Sequence, residues 1–104
     1  MTYVIVTATF VPLPGARNEL IDALTRGIPA VHAEPGCELY AIHDADDGTI
    51  VMIEKWTTRT ALDAHSTGSA VADLGDLIAP FLAEPVRVIT MTALPAGDPD
   101  RGAL

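Results

Sequence analysis

Residues 3–11 read Tyr-Val-Ile-Val-Thr-Ala-Thr-Phe-Val and are closed by Pro12 and Pro14. A run so dense in β-branched and aromatic side chains predicts a strand. Val4, Val6, Ala8 and Phe10 share one face, with Tyr3, Ile5 and Val11 on the other. A strand apolar on both faces is covered on both faces. After Pro14-Gly15 the period changes: Leu20, Ala23, Leu24, Ile28 and Val31 form a helical stripe, with Arg17, Glu19, Asp22 and Arg26 facing out. Gly27-Ile28-Pro29 predicts a kink or break, because proline cannot donate a bond back and its ring crowds the preceding turn. Glu34-Pro35-Gly36 ends the helix.

Residues 37–45 alternate imperfectly and predict a second strand. Asp46-Asp47-Gly48-Thr49 makes a tight hairpin turn, from which residues 50–56 return antiparallel. Thr57, Thr58 or Thr60 caps a helix through 61–65, and Gly68-Ser69 resets the chain. Val71, Leu74, Leu77, Ile78 and Phe81 continue a helical stripe as far as Pro80 or just beyond, and Glu84-Pro85 turns it into a last strand over 86–93. The expected organisation is one domain over 1–94 with a loose polar tail over 95–104.

Strand, helix, strand, strand, helix, strand is the ferredoxin-like βαββαβ order, an α+β fold with four antiparallel strands and helices on one face. Its helices cover only one side of the sheet. The doubly apolar first strand therefore predicts a second cover, and two sheets packed face to face in a homodimer supply it.

Composition sharpens that expectation. Of 104 residues, 49% are hydrophobic and 19% charged, a large apolar share for a small domain with much surface to cover. Buried interfaces between copies absorb such a surplus; the many alanines also raise the figure. The formal net charge of −8 repels phosphate backbones and argues against a nucleic-acid partner. A single cysteine, Cys37, excludes an intrachain disulfide and a cysteine-cluster zinc site. Residues 1–16 are uncharged but too short and too rich in proline and threonine to span a membrane, and no basic residue precedes them as in a signal peptide. The expectation is a cytoplasmic protein with no membrane partner.

Three stretches carry a family likeness: Glu34-Pro35-Gly36-Cys37 leading into Leu39-Tyr40, then Glu54-Lys55-Trp56, then Leu62-Asp63-Ala64-His65. At this spacing, from about Val4 to about Leu94, the chain resembles the antibiotic biosynthesis monooxygenase family. These are small dimeric α/β-barrel proteins that include cofactor-free quinol and anthrone oxygenases. The resemblance implies a dimeric barrel and places Trp56 and His65 near a pocket between sheet and helices, with Glu54 as the acidic residue two before the tryptophan. Haem-degrading members carry an asparagine in the first strand; Thr7-Ala8-Thr9 has none. That departure and the negative charge argue against haem.

His65 is the leading catalytic candidate, since imidazole changes protonation near neutrality and can take a phenolic proton; alternatively it packs the end of its helix. Trp56 either stacks on a flat substrate as a pocket wall or anchors the core. Glu54 shares a strand face with Trp56 and Met52. On an apolar face its carboxyl is either a desolvated base or the partner of an arginine, with Arg87 on the last strand as one choice. Tyr40 is a hydrogen-bonding candidate, and parity puts His43 on the opposite face. His32 fits a helix C-terminus, and Cys37 a small buried residue with no cation to activate it. No metal site is expected, because His32, His43 and His65 lack ligand spacing and Asp44, Asp46, Asp47 and Gly48 lack the closing glutamate of a calcium loop. No glycine-rich phosphate cradle follows a strand, so no nucleotide cofactor is expected.

The expected activity is a cofactor-independent monooxygenation of an aromatic quinol, anthrone or related phenol by O2. Catalysis would rest on His65 and Glu54, with Trp56 and Tyr40 binding substrate. An acid–base isomerase or lyase on the same scaffold, and a non-catalytic dimeric binding module, remain open at this point.

Overall fold

The computed structural model describes residues 3–104; Met1 and Thr2, the start of the stretch weighed above as a targeting segment, lie outside it. The chain runs β1 (Val4–Phe10), α1 (Arg17–His32), β2 (Cys37–Asp44), β3 (Ile50–Trp56), α2 (Arg59–Ser66), α3 (Ser69–Ile78), a 3-10 turn (Ala79–Phe81) and β4 (Arg87–Thr92). The four strands form one antiparallel sheet in the order β2-β3-β1-β4. This is the ferredoxin-like α+β fold, with the second helical segment divided in two at Gly68.

Local signals account for most boundaries. Thr58 caps α2 by accepting a bond from the Ala61 N–H at 3.0 Å. In the β2–β3 turn the Asp47 carboxylate accepts from the backbone N–H and hydroxyl of Thr49, and Gly48 takes φ +90°. The expectation of a kink or break at Pro29 needs correcting in part: α1 continues through it to His32. Proline there removes one intrahelical bond, and the buried stripe Leu20, Ala23, Leu24, Ile28 and Val31 holds the helix on the sheet across that gap.

The core lies between the sheet and its helices. Val4, Val6, Ala8 and Phe10 of β1 and Ile50, Met52 and Trp56 of β3 meet Leu20, Leu24, Leu62, Leu74 and Ile78 there. At Gly27 α1 comes so close to α3 that a Cβ would stand 2.4 Å from Leu74 Cδ1. On the opposite face Ile5 pairs with Met91, and Ile53 and Ile89 flank Thr7 across β3, β1 and β4. Ile89 and Met91 are both exposed there, so part of the apolar surplus lies on the face without helices. Among the described residues no helix is long and apolar enough to cross a membrane.

Candidate functional site

A cavity of about 360 Å³ opens between the helix-facing side of the sheet and the α2–α3 segment. Val6, Ala8 and Phe10 of β1, Leu74 and Ile78 of α3 and Val88 of β4 give it apolar walls. One side of α2 contributes Arg59, Leu62, Asp63 and Ser66, the i, i+3, i+4, i+7 positions of a single helical face. Tyr40, Glu54 and His65 line the same space, and all three are buried, Glu54 and His65 to 5% exposure. Three of the four residues named from sequence therefore border one largely apolar cavity.

Register explains the convergence. Tyr40 pairs directly with Glu54, so both side chains leave the sheet toward the helices. A β-bulge between Cys37 and Leu39 lets Cys37 pair with Trp56, which brings Cys37 against the core despite its odd number. The bulge precedes Tyr40, so strict alternation holds from there on and His43 faces away from the cavity, its Nδ1 3.1 Å from the Val51 carbonyl.

Trp56 is not the cavity wall expected from sequence. It is fully buried, and it stands behind the wall, its indole tilted 32° to the His65 ring at a centroid distance of 4.5 Å. Its Nε1–H donates to Glu54 Oε1 at 2.9 Å. That bond also overturns the expected ion pair between Glu54 and Arg87. Arg87 pairs with Thr9, so its side chain leaves the sheet on the other face. Tyr40 completes the aromatic cluster, edge-on to His65 at 5.4 Å and to Trp56 at 6.4 Å.

Electrostatics follow from this burial. Desolvation raises the Glu54 carboxyl above its ordinary value, opposed by the Trp56 hydrogen bond and by His65. The Tyr40 hydroxyl is pushed well above the usual phenol range, first by desolvation and then by Glu54 and Glu34, so it remains a neutral donor. Burial also raises the Cys37 thiol, with Glu34, Glu54 and Glu38 adding to it, which leaves it a poor nucleophile. His32, at the end of α1, places Nε2 2.9 Å from the Tyr40 carbonyl and so belongs to the scaffold.

Sequence reasoning passed over Glu34. Its Oε1 lies 2.7 Å from His65 Nδ1. Gly36 makes the approach of α2 to this loop feasible: it has φ +83°, and a Cβ there would stand 2.5 Å from Ala61 Cβ and 2.7 Å from Thr57 Oγ1. The signal lies in Glu34-Pro35-Gly36, whose local chemistry by itself predicts only the end of a helix. In the stretch Thr7-Ala8-Thr9, the residue that faces the cavity is Ala8, which offers no polar group to a ligand.

Comparison with known proteins agrees with this architecture. The family model for antibiotic biosynthesis monooxygenases matches residues 3–74, a span holding Glu34, Tyr40, Glu54, Trp56 and His65. The Mycobacterium tuberculosis protein named "Putative monooxygenase Rv0793" is 34% identical over 92 residues, covering 88% of this chain and 91% of that protein. Its solved structure superposes with a TM-score of 0.81, covering 92% of this chain and 99% of that one at 31% identity. PA3566 from Pseudomonas aeruginosa has a TM-score of 0.78 at 25% identity over 90% of this chain and 96% of that one. NE2512 from Nitrosomonas europaea, 23% identical over 95% of this chain and 96% of its own, shares the fold with a TM-score of 0.81. On the matched span and the identity to the mycobacterial relative, the chain belongs to the antibiotic biosynthesis monooxygenase family.

Proposed function

We propose that the protein is a cofactor-independent monooxygenase that oxidises an aromatic quinol, anthrone or related phenol with O2, working as a homodimer joined through the sheet face without helices. The observation that carries this reading is the meeting of Tyr40, Glu54 and His65 in one apolar cavity. A flat hydroxyarene matches such a space, with its ring against the apolar walls and its hydroxyl among the three polar groups.

His65 takes the phenolic proton, with Glu54, held as a weaker acid than usual by burial, as the second acid–base group. Tyr40 donates to the oxyanion that forms. The electron-rich anion passes one electron to O2, and the resulting pair joins as a carbon–oxygen bond. The peroxide takes a proton, its O–O bond breaks, and the outer oxygen leaves as water while the carbon loses its hydrogen as a proton and becomes a carbonyl. Substrate is oxidised by four electrons and both oxygen atoms are reduced, so no outside reductant enters. The chain's part is to move the proton, exclude water and confine the pair.

Oxygen uptake with a panel of hydroquinones and anthrones, with chelator present and flavin absent, tests the reading. Turnover faster than autoxidation, lost in His65→Ala, is the expected result. Turnover without O2 would instead assign an acid–base isomerase or lyase, and binding without turnover a ligand-binding module.

A further inference from the structure

We infer that Glu34 is a positioning residue for His65, forming with it a carboxylate–imidazole dyad that reaches the cavity from a separate groove behind α2. The inference rests on His65 being the proton-transfer group of the proposed reaction.

His65 belongs to two spaces. It lines the main cavity, and on the other side of α2 it lines a groove of about 390 Å³ together with Glu34, Thr57, Thr60 and Ala64. Glu34 lies in that groove, is 21% exposed, and is not among the residues lining the main cavity. Its carboxylate thus meets the imidazole from behind, at Nδ1, and Nε2 is the nitrogen left for substrate. Which ring nitrogen carries the proton is set by the bond the other one makes. A carboxylate at Nδ1 can only accept, so Glu34 holds the proton there and leaves the Nε2 lone pair free to act as a base. When Nε2 takes the substrate proton, the same carboxylate faces the imidazolium and stabilises it until the peroxide needs that proton back.

The dyad is built rather than incidental. Glu34 stands one residue past Ala33, which caps α1, with its N–H bonded to the Val31 carbonyl at 3.0 Å. The Thr57 N–H bonds the Gly36 carbonyl at 2.9 Å, which joins the loop to the start of α2. At the other end of α2, a Cβ on Gly68 would stand 3.3 Å from Glu34 Oε2 and 3.1 Å from the Ala64 carbonyl. Two glycines flanking the pair give the loop and the helix their close approach. Of the other polar groups bordering His65, Glu54 is engaged by the indole of Trp56 and Tyr40 meets the ring only edge-on. Neither replaces the contact at Nδ1.

The test uses full-length protein with Glu34→Gln, Glu34→Ala and Glu34→Asp, each checked for its melting transition. Long-range 1H–15N correlation reads the His65 tautomer without any substrate. The expected result is Nδ1–H in the parent protein and in Glu34→Asp, moving to Nε2–H in Glu34→Ala. An unchanged tautomer in Glu34→Ala overturns the inference, whether or not any hydroquinone is turned over. Where turnover is measurable, kcat of Glu34→Gln falls roughly 100-fold while KM stays within a factor of about three. Acetate should then raise kcat of Glu34→Ala several-fold without competing with substrate, because it enters from the rear groove. A kcat equal to that of the parent, or rescue competitive with substrate, overturns the dyad. Loss of the parent's activity reading alone leaves the tautomer result to decide.

Discussion

The His65 imidazole lies on the Trp56 indole with ring centroids 4.5 Å apart, and the same indole donates its N–H to Glu54 at 2.9 Å. One buried side chain thus supports both proposed acid–base groups, one through its ring face and the other through its nitrogen. Trp56→Phe keeps an aromatic surface beneath His65 and removes the donor. Glu54, losing a bond that favours its charged form, becomes a still weaker acid, and the acidic limb of kcat/KM moves to higher pH. The variant should also lose about 1–3 kcal/mol in urea unfolding, the cost of a buried acceptor left without its donor.

Glu54 makes stability depend on pH with a defined sign. Burial raises its carboxyl in the folded state above the ordinary 4.5, so the unfolded chain releases the proton first. The fold therefore has its full share of stability from this group below 4.5 and loses it as pH rises through the folded value. Glu54→Gln has no proton to lose. The Tm of Glu54→Gln relative to the parent should increase from acid toward neutrality and then level off, which differential scanning calorimetry across that range would read.

Two glycines with positive φ separate strain from crowding. Gly48, in the β2–β3 turn, has φ +90° and open space where a Cβ would stand, whereas Gly36 has φ +83° and Ala61 in the way. Gly48→Ala should cost about 1–2 kcal/mol for the left-handed backbone alone. Gly36→Ala adds overpacking, for about 2–4 kcal/mol in all. Denaturant unfolding gives both numbers, and equal losses would mean that the contact with α2 is loose.

Gly27 bears on cavity shape through Leu74. Gly27→Ala forces Leu74 Cδ1 to move from a Cβ placed at 2.4 Å, and Leu74 lines the cavity. Overpacking of about 1–3 kcal/mol is offset in part by the helix preference of alanine, about 1 kcal/mol. Leu74→Ala alone should cost about 2–5 kcal/mol. The double variant should lose less than the sum of the singles by about 1 kcal/mol, since truncating Leu74 removes the clashing atom. Additive losses would show that Leu74 had already turned away at no cost.

Ile89 sits exposed on the sheet face opposite the helices, two positions from Met91 and opposite Thr7 in register. Ile89→Arg places a charge in the middle of the proposed dimer contact. Sedimentation velocity should show the parent as a dimer and the variant shifted toward monomer. An Arg substitution at exposed Leu94, beyond β4, serves as the control for added charge. A parent that sediments as a monomer would remove the homodimer from the proposed function.

The element order and most boundaries were legible because each rests on local chemistry. The β-branched run of β1, the Asp-Gly turn, the Thr58 cap and the Gly68 break each act within a few residues. Parity also grouped Glu54 with Met52 and Trp56 and separated Tyr40 from His43, whereas the direct pairing of Tyr40 with Glu54 needed the register of β2 on β3. What escaped depended on distance in the chain. Glu34 and His65 lie 31 positions apart, and nothing local to either marks the other as its partner. Alternation gives the face of Trp56, yet how deep it sits is decided by α2, whose His65 lies against the indole. Arg87 is one partner the sequence offers Glu54, and a one-residue difference in parity sends it to the other side. Pro29 marked a break by its own chemistry, but the apolar stripe around it outweighed one lost bond.

The bulge between Cys37 and Leu39 divides responsibility for the site. The hairpin turn sets the phase of Tyr40, whereas the loop after α1 sets the reach of Glu34, and Glu38 takes up the difference between them. The two halves are thus uncoupled along the chain. A one-residue slip in the β2–β3 register would turn Tyr40 out of the cavity, while a length change at Glu38 would shift Glu34 and spare Tyr40. A sequence of this kind can adjust the back of its histidine and the front of its pocket by separate insertions and deletions, without rebuilding the sheet.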